Sequence, residues 1–99
     1  MTNKLDAYTQ ELREIQKQYE QQGITLIGIM PSKQNTDYDI FYELAKDFAM
    51  RNPGHQFFSI FRLLKKDLEQ TLNKKVDIID TAALAPIGKD SILNDLVMI

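Results

Sequence analysis

The sequence predicts a single small α/β (α+β) domain over residues 1–99, with elements in the order α-β-β-α-β-α around a mixed sheet. Two stretches, one near the N-terminus and one around residues 57–72, carry apolar residues at spacings of three and four, the period of a half-buried helix. Short apolar runs bounded by Gly, Pro, Ser and Asn lie between and after them, as strands do. The chain has 99 residues, 43% of them hydrophobic, which suffices for one modest core and not for two.

The first helix is read from Leu5, Tyr8, Leu12, Ile15 and Tyr19, which fall on one face. Asn3 is its expected cap and Gly23 its stop, and the other face is Gln, Lys, Glu and Arg. Ile24 to Met30 reads as the first strand, followed by a polar loop from Pro31 to Thr36. Asp37 to Leu44 reads as a second strand, and the short link predicts an antiparallel pair. Asn52, Pro53 and Gly54 mark a turn within the less regular stretch from Ala45 to Gln56. Phe57, Phe61, Leu64, Leu68 and Leu72 predict a second helix, with Arg62, Lys65, Lys66 and Glu69 on its solvent face and Asn73 at its end. Val76 to Ile79 makes a third strand. Thr81 is read as the cap of a short turn through Leu84, and Pro86 as the start of a last helix through Ile92, Leu93, Leu96 and Val97. The apolar end Leu96 to Ile99 also fits core, an extra edge strand or a contact surface.

Composition narrows the classes of function. There is no cysteine, which excludes a disulfide framework and thiolate metal ligands. The first twenty residues are polar, unlike a signal peptide, and the apolar run Leu26 to Met30 is far shorter than the ~20 residues of a membrane span. A cytoplasmic setting is therefore expected. The net charge of −2 gives no support to a general nucleic-acid binder.

The chemistry-bearing residues are acidic. Asp37 and Asp39 are two apart, so on a strand their carboxylates share a face. Such a pair repels itself unless a cation lies between, and Mg²⁺ suits carboxylates supplemented by water and phosphate oxygens. Asp77 is a third acid, set between Val76 and Ile78, and it completes a three-carboxylate cluster if its strand lies beside the second. Each acid also has a plain structural reading. A D-x-D pair often ends a strand or caps a turn, and Asp77 has Lys74 and Lys75 close by.

The stretch Thr36-Asp-Tyr-Asp-Ile-Phe-Tyr-Glu-Leu44, the segment Asn73-Lys-Lys-Val-Asp-Ile-Ile79 and the tail with Thr81-Ala-Ala-Leu-Ala-Pro86 and Asp90-Ser-Ile-Leu-Asn-Asp-Leu-Val97 carry a resemblance. Over about residues 20–99 the chain resembles the minimal nucleotidyltransferases, small relatives of DNA polymerase beta and kanamycin nucleotidyltransferase. Many members are encoded beside a helical HEPN protein as a toxin–antitoxin pair. The resemblance implies Mg²⁺-dependent transfer of AMP from ATP to a protein or nucleic-acid hydroxyl. Asp37, Asp39 and Asp77 are then the metal-binding and catalytic acids. The family's Gly-Ser motif at the end of the first strand is Gly28-Ile29 here, and the following loop is about three residues shorter and lacks glycine. Gly28, Ser32 and Lys33 are the remaining candidates for phosphate contact. That departure makes a non-enzymatic module binding a HEPN-type partner the alternative.

Other features are read more plainly. Arg62, Lys65, Lys66, Lys74 and Lys75 form either a phosphate or RNA contact or a solvated face, the latter favoured by the acidic balance. His55 has no second histidine for a metal site. Phe58 falls off the helical stripe. The apolar tail, with Phe48 and Met50, makes a protein partner or self-association an expectation.

Overall fold

A computed structural model describes residues 9–32, 37–84 and 86–99. The expected cap Asn3, the stripe residues Leu5 and Tyr8, and Lys33 lie outside the described residues. The elements are α1 (Thr9–Glu20), β1 (Ile24–Pro31), β2 (Tyr38–Leu44), α2 (Phe48–Arg51), α3 (His55–Leu72), β3 (Val76–Asp80), a 3-10 turn (Thr81–Ala83), α4 (Pro86–Asn94) and β4 (Val97–Met98).

The strands form one mixed sheet in the order β3-β2-β1-β4. β1 and β2 are antiparallel, as the short link predicts, and β4 is antiparallel to the other side of β1. β3 lies parallel to β2, which the helical crossover through α2 and α3 makes feasible. β2 begins at Tyr38 rather than Asp37, and the tail is a strand rather than a continuation of the last helix.

The main core lies between one sheet face and helices α1 and α3. Ile24, Leu26, Ile29, Ile40 and Val76 contribute from the strands, and Leu12, Ile15, Tyr19, Leu64, Leu68 and Leu72 from the helices. In α3 the fully covered stripe is Ile60, Leu64, Leu68 and Leu72, four apart, while Phe57 and Phe61 are only half-buried. Both rings pack on Phe48, with centroids 5.2 and 5.4 Å away. Phe48 itself is buried on the short α2, so it belongs to the core and not to a contact surface. Phe58 is 71% exposed, as its place off the stripe predicts.

A β-bulge in β1 decides which side chains share this core. Leu26 faces Tyr42 and Gly28 faces Phe41, so Ile27 is the extra residue. Before the bulge Ile24 and Leu26 point to the helices; after it the parity changes and Ile29 does. Near the start of β1, β4 does not reach, and Gln16 of α1 substitutes for a strand. Its side-chain oxygen accepts from the Leu26 N–H, and its amide nitrogen donates to the Ile24 carbonyl at 3.4 Å. Farther along α1, the Tyr19 hydroxyl donates to Asp67 of α3 at 2.6 Å. Burial, helped by this carboxylate, pushes the Tyr19 pKa well above the usual tyrosine value.

The ends follow local chemistry. Gly23, at φ +94°, makes the turn from α1 into β1, a conformation that costs glycine little. Asn73 ends α3 in the left-handed conformation at φ 53°. Glu69, expected on the solvent face, is half-buried and accepts from the Val76 N–H at 3.3 Å, which pins the start of β3 to the helix. Asp80 caps the 3-10 turn by accepting from the Ala82 N–H at 2.9 Å, a role expected of Thr81, which is instead buried.

Leu64 and Leu68 are wholly buried at the centre of the α3 interface. Leu64→Ala is expected to cost about 2–5 kcal/mol in urea unfolding, a large part of the stability of a domain this small. A cost under about 0.5 kcal/mol, typical of surface sites, would contradict this packing.

Candidate functional site

The sheet face away from α1 and α3 carries the candidate acids. In β2, Tyr38, Ile40 and Tyr42 face the helices, so Asp39 and Phe41 point the other way. In β3, Val76 and Ile78 face the helices, so Asp77 and Ile79 point the other way. The register sets Asp39 directly opposite Asp77 and Phe41 opposite Ile79. Across the other boundary of β2, Met30 is opposite Asp39 and Gly28 opposite Phe41. Two rows therefore cross this face, Met30–Asp39–Asp77 and Gly28–Phe41–Ile79. Strand spacing sets the neighbouring backbones in each row only about 4.8 Å apart.

Asp39 and Asp77 are thus brought together, by a pairing between residues 38 apart in sequence. The Asp39 carboxyl lies above the usual aspartate value. Burial is the main cause, and the nearby Asp77 charge adds to it. The Ser32 side chain opposes the shift through a hydrogen bond to Asp39. Ser32, a candidate phosphate contact, is therefore spent at least in part on holding this acid.

Asp37 is placed differently from its partner in the D-x-D pair. It precedes β2, its backbone N–H donates to the Lys75 carbonyl at 2.9 Å, and its carboxylate accepts from the Lys75 N–H at 3.0 Å. It clips the entry of β2 to the entry of β3, one of the structural roles open to it in the sequence. Asp37 also lines a shallow cleft of about 320 Å³ with Glu69, Asn73, Lys74 and Lys75. Among the described residues no group of three or more His, Cys, Asp or Glu side chains is arranged to hold a metal ion. The donors that converge are the two carboxylates Asp39 and Asp77. Mg²⁺ is often bound through one or two carboxylates with waters and substrate phosphates, so this donor set fits it.

Gly28 is buried, and a β-carbon there would lie 2.8 Å from Leu96 Cβ and 2.9 Å from the Val97 carbonyl oxygen. The close approach that glycine permits is used by the segment leading into β4. Leu96 and Phe41 are both buried, yet neither belongs to the main core under the helices. Two residues of this face, Met30 and Leu96, escape sequence reasoning. Met30 reads as one of a continuous apolar run, and only the bulge turns it beside Asp39. Leu96 reads as the end of a helical stripe or of an edge strand, and the structure sets it in the bend before β4, over Gly28.

The remaining candidates stay apart. Arg62, Lys65, Lys66, Lys74 and Lys75 are all exposed, as a solvated face is, and His55 is exposed at the start of α3. Met50 and Met98 are exposed, whereas Val97 and Ile99 pack against the core, so the tail is an edge strand with one outward methionine. No helix among the described residues is long and apolar enough to cross a membrane. The chain matches no family model, no curated protein and no solved structure.

Two outcomes follow from this geometry. Because folding raises the Asp39 pKa above its unfolded value, the unfolded chain gives up that proton first as pH rises. The associated stability is present below the ordinary aspartate range and is lost as pH climbs through the folded value. Asp39→Asn should therefore stabilise the metal-free protein at pH 7, and the gain should vanish near pH ~3, below the ordinary value. Urea unfolding in chelator at both pH values measures this, and destabilisation at pH 7 would refute it. Gly28→Ala should cost about 1–3 kcal/mol, because Leu96 and the Val97 carbonyl must shift; an unchanged midpoint would mean that β4 does not sit there.

Proposed function

We propose that the chain is a nucleotidyltransferase-like protein that binds ATP with Mg²⁺ at Asp39 and Asp77 and passes AMP to a hydroxyl of a protein or nucleic acid. The observation that supports this most directly is the register pairing of Asp39 with Asp77 on one face of a parallel ladder. Two neighbouring carboxylates, one with a raised pKa, are an arrangement that a divalent cation relieves. Both acids lie on the face away from the helices.

The residues have separable tasks. Asp39 and Asp77 would hold Mg²⁺, which when bound would neutralise the charge of the triphosphate. Ser32 would keep Asp39 in place through its hydrogen bond. Asp37 would hold the two strand entries together through Lys75 and lend its second oxygen to the same end of the sheet. In the transfer itself an acceptor hydroxyl oxygen would bond to the α-phosphorus, the bond from that phosphorus to the β-phosphate bridging oxygen would break, and pyrophosphate would leave. The hydroxyl proton would pass to a carboxylate, the role we assign to Asp77, and then to water.

One observation favours a second role. Leu96 and Val97 cover Gly28, the backbone the resemblance assigns to phosphate contact. A chain that keeps the fold without transferring nucleotide would then serve as a binding module for a helical HEPN-type partner or for a second copy of itself.

Calorimetric titration of ATP with Mg²⁺ separates the two roles. Binding in the micromolar to low-millimolar range, about −8 to −4 kcal/mol, is expected for the enzyme. Asp39→Asn and Asp77→Asn should each weaken it at least tenfold, roughly 1.4 kcal/mol, and abolish pyrophosphate release. Asp37→Asn should preserve the fold, since an amide oxygen can still accept from Lys75. Absence of heat at millimolar ATP, with a folded protein, in the wild type and in Leu96→Ala alike would set transfer aside and leave the binding role.

A further inference from the structure

We propose that Leu96 is a built-in stopper: the C-terminal segment fills the space over Gly28, so that the acid-bearing face is closed to triphosphate until that segment shifts. This rests on the nucleotide-binding role proposed above and concerns its regulation.

Glycine inside a strand marks a place where a ligand or another backbone comes close. At Gly28 the space is taken, since Leu96 Cβ and the Val97 carbonyl oxygen would stand 2.8 and 2.9 Å from a β-carbon. Gly28 lies one row from the acids, because its neighbour Phe41 is two residues from Asp39 on the same face. A group anchored on Asp39 and Asp77 and extending toward β1 meets Met30 in its own row and Leu96 in the next row, over Gly28. A carbonyl oxygen and an isobutyl group are both poor neighbours for a phosphate, the first by charge and the second by desolvation.

The closure is lightly held. β4 pairs with β1 at two positions only, Gly28 with Met98 and Ile29 with Val97, and Ile99 adds a bond from its N–H to the Ile27 carbonyl at 3.1 Å. Met98, on the same face as Leu96, is 59% exposed, so among the described side chains it is Leu96 that covers the spot, with the Val97 carbonyl beside it. In the helix that leads to it, Ser91 and Asn94 are exposed and Ile92 and Leu93 are half-buried, while beyond Leu96 the side chains of Val97 and Ile99 pack against the core.

The test uses the full chain with Leu96→Ala. Mn²⁺ binding is followed by paramagnetic relaxation in the wild type and in Asp39→Asn; Mg²⁺-tripolyphosphate, Mg²⁺-ATP and adenosine are followed by calorimetry in the wild type and in Leu96→Ala. The expected result is Mn²⁺ binding that Asp39→Asn removes, and at least a tenfold gain in tripolyphosphate and ATP affinity in Leu96→Ala with no gain for adenosine. Should Leu96→Ala fail to fold, Leu96→Val trims the same side chain less and should give a smaller gain with the same phosphate dependence. If Mn²⁺ binds but neither variant gains affinity for tripolyphosphate, the stopper is refuted and the acid site stands. If Mn²⁺ does not bind the wild type, the acid site itself is refuted and the stopper falls with it. A gain shared by adenosine would also refute the stopper, since it would reflect a new apolar cavity.

Discussion

The bulge at Ile27 in β1 is the constraint on which the other features depend. A strand that alternated without interruption could not turn Ile24, Leu26 and Ile29 all toward the helices. With the extra residue, each end of β1 is useful to the core, and the parity change leaves Gly28 and Met30 on the opposite face. Gly28 then gives room for Leu96 and for the edge strand β4, and Met30 stands beside Asp39. One unpaired residue therefore sets the main core, the seat of the C-terminal segment and the neighbourhood of the acids.

The two faces of the sheet are held by different physics. The helix side is a continuous apolar core in which leucine and isoleucine side chains exclude water, with Gln16, Tyr19 and Glu69 supplying the polar ties at its rim. The other side has a small apolar patch of Phe41 and Leu96 next to two carboxylates. Burial there raises the cost of ionising Asp39, and a serine hydroxyl offsets only part of that cost. Elsewhere in the molecule Asp37 and Asp80 each accept a backbone N–H, and Asp67 takes the Tyr19 hydroxyl.

Most elements were legible because their signals are local. The stripe of α3, the stop at Asn73, the apolar β1 and the turn at Gly23 all follow from residues within a few positions of one another. That Asp77 could meet the D-x-D segment also followed, once β3 was set beside β2. What escaped depends on contacts between one element and another. Phe48 looks like a loop residue until α3 supplies the rings that cover it. Glu69 looks like a solvent residue until β3 starts at its carboxylate. Asp37 and Asp39 look equivalent in a two-residue period, yet the strand begins between them, and Lys75 claims one while Asp77 faces the other.

The parallel pairing of β2 with β3 also bears on how the chain is made. Residues 24–44 can form an antiparallel hairpin as soon as they are synthesised, but the outer edge of β2 waits for residues 76–80. During that interval the edge presents unpaired backbone groups next to apolar Ile40 and Phe41, the kind of surface on which nascent chains join one another. Asp37 and Asp39 sit at the start of that same edge. Negative charge there repels a second copy of the strand, and only the intended partner brings the Lys75 N–H that satisfies Asp37. Charge at the start of an exposed strand edge disfavours pairing with a second copy of that strand.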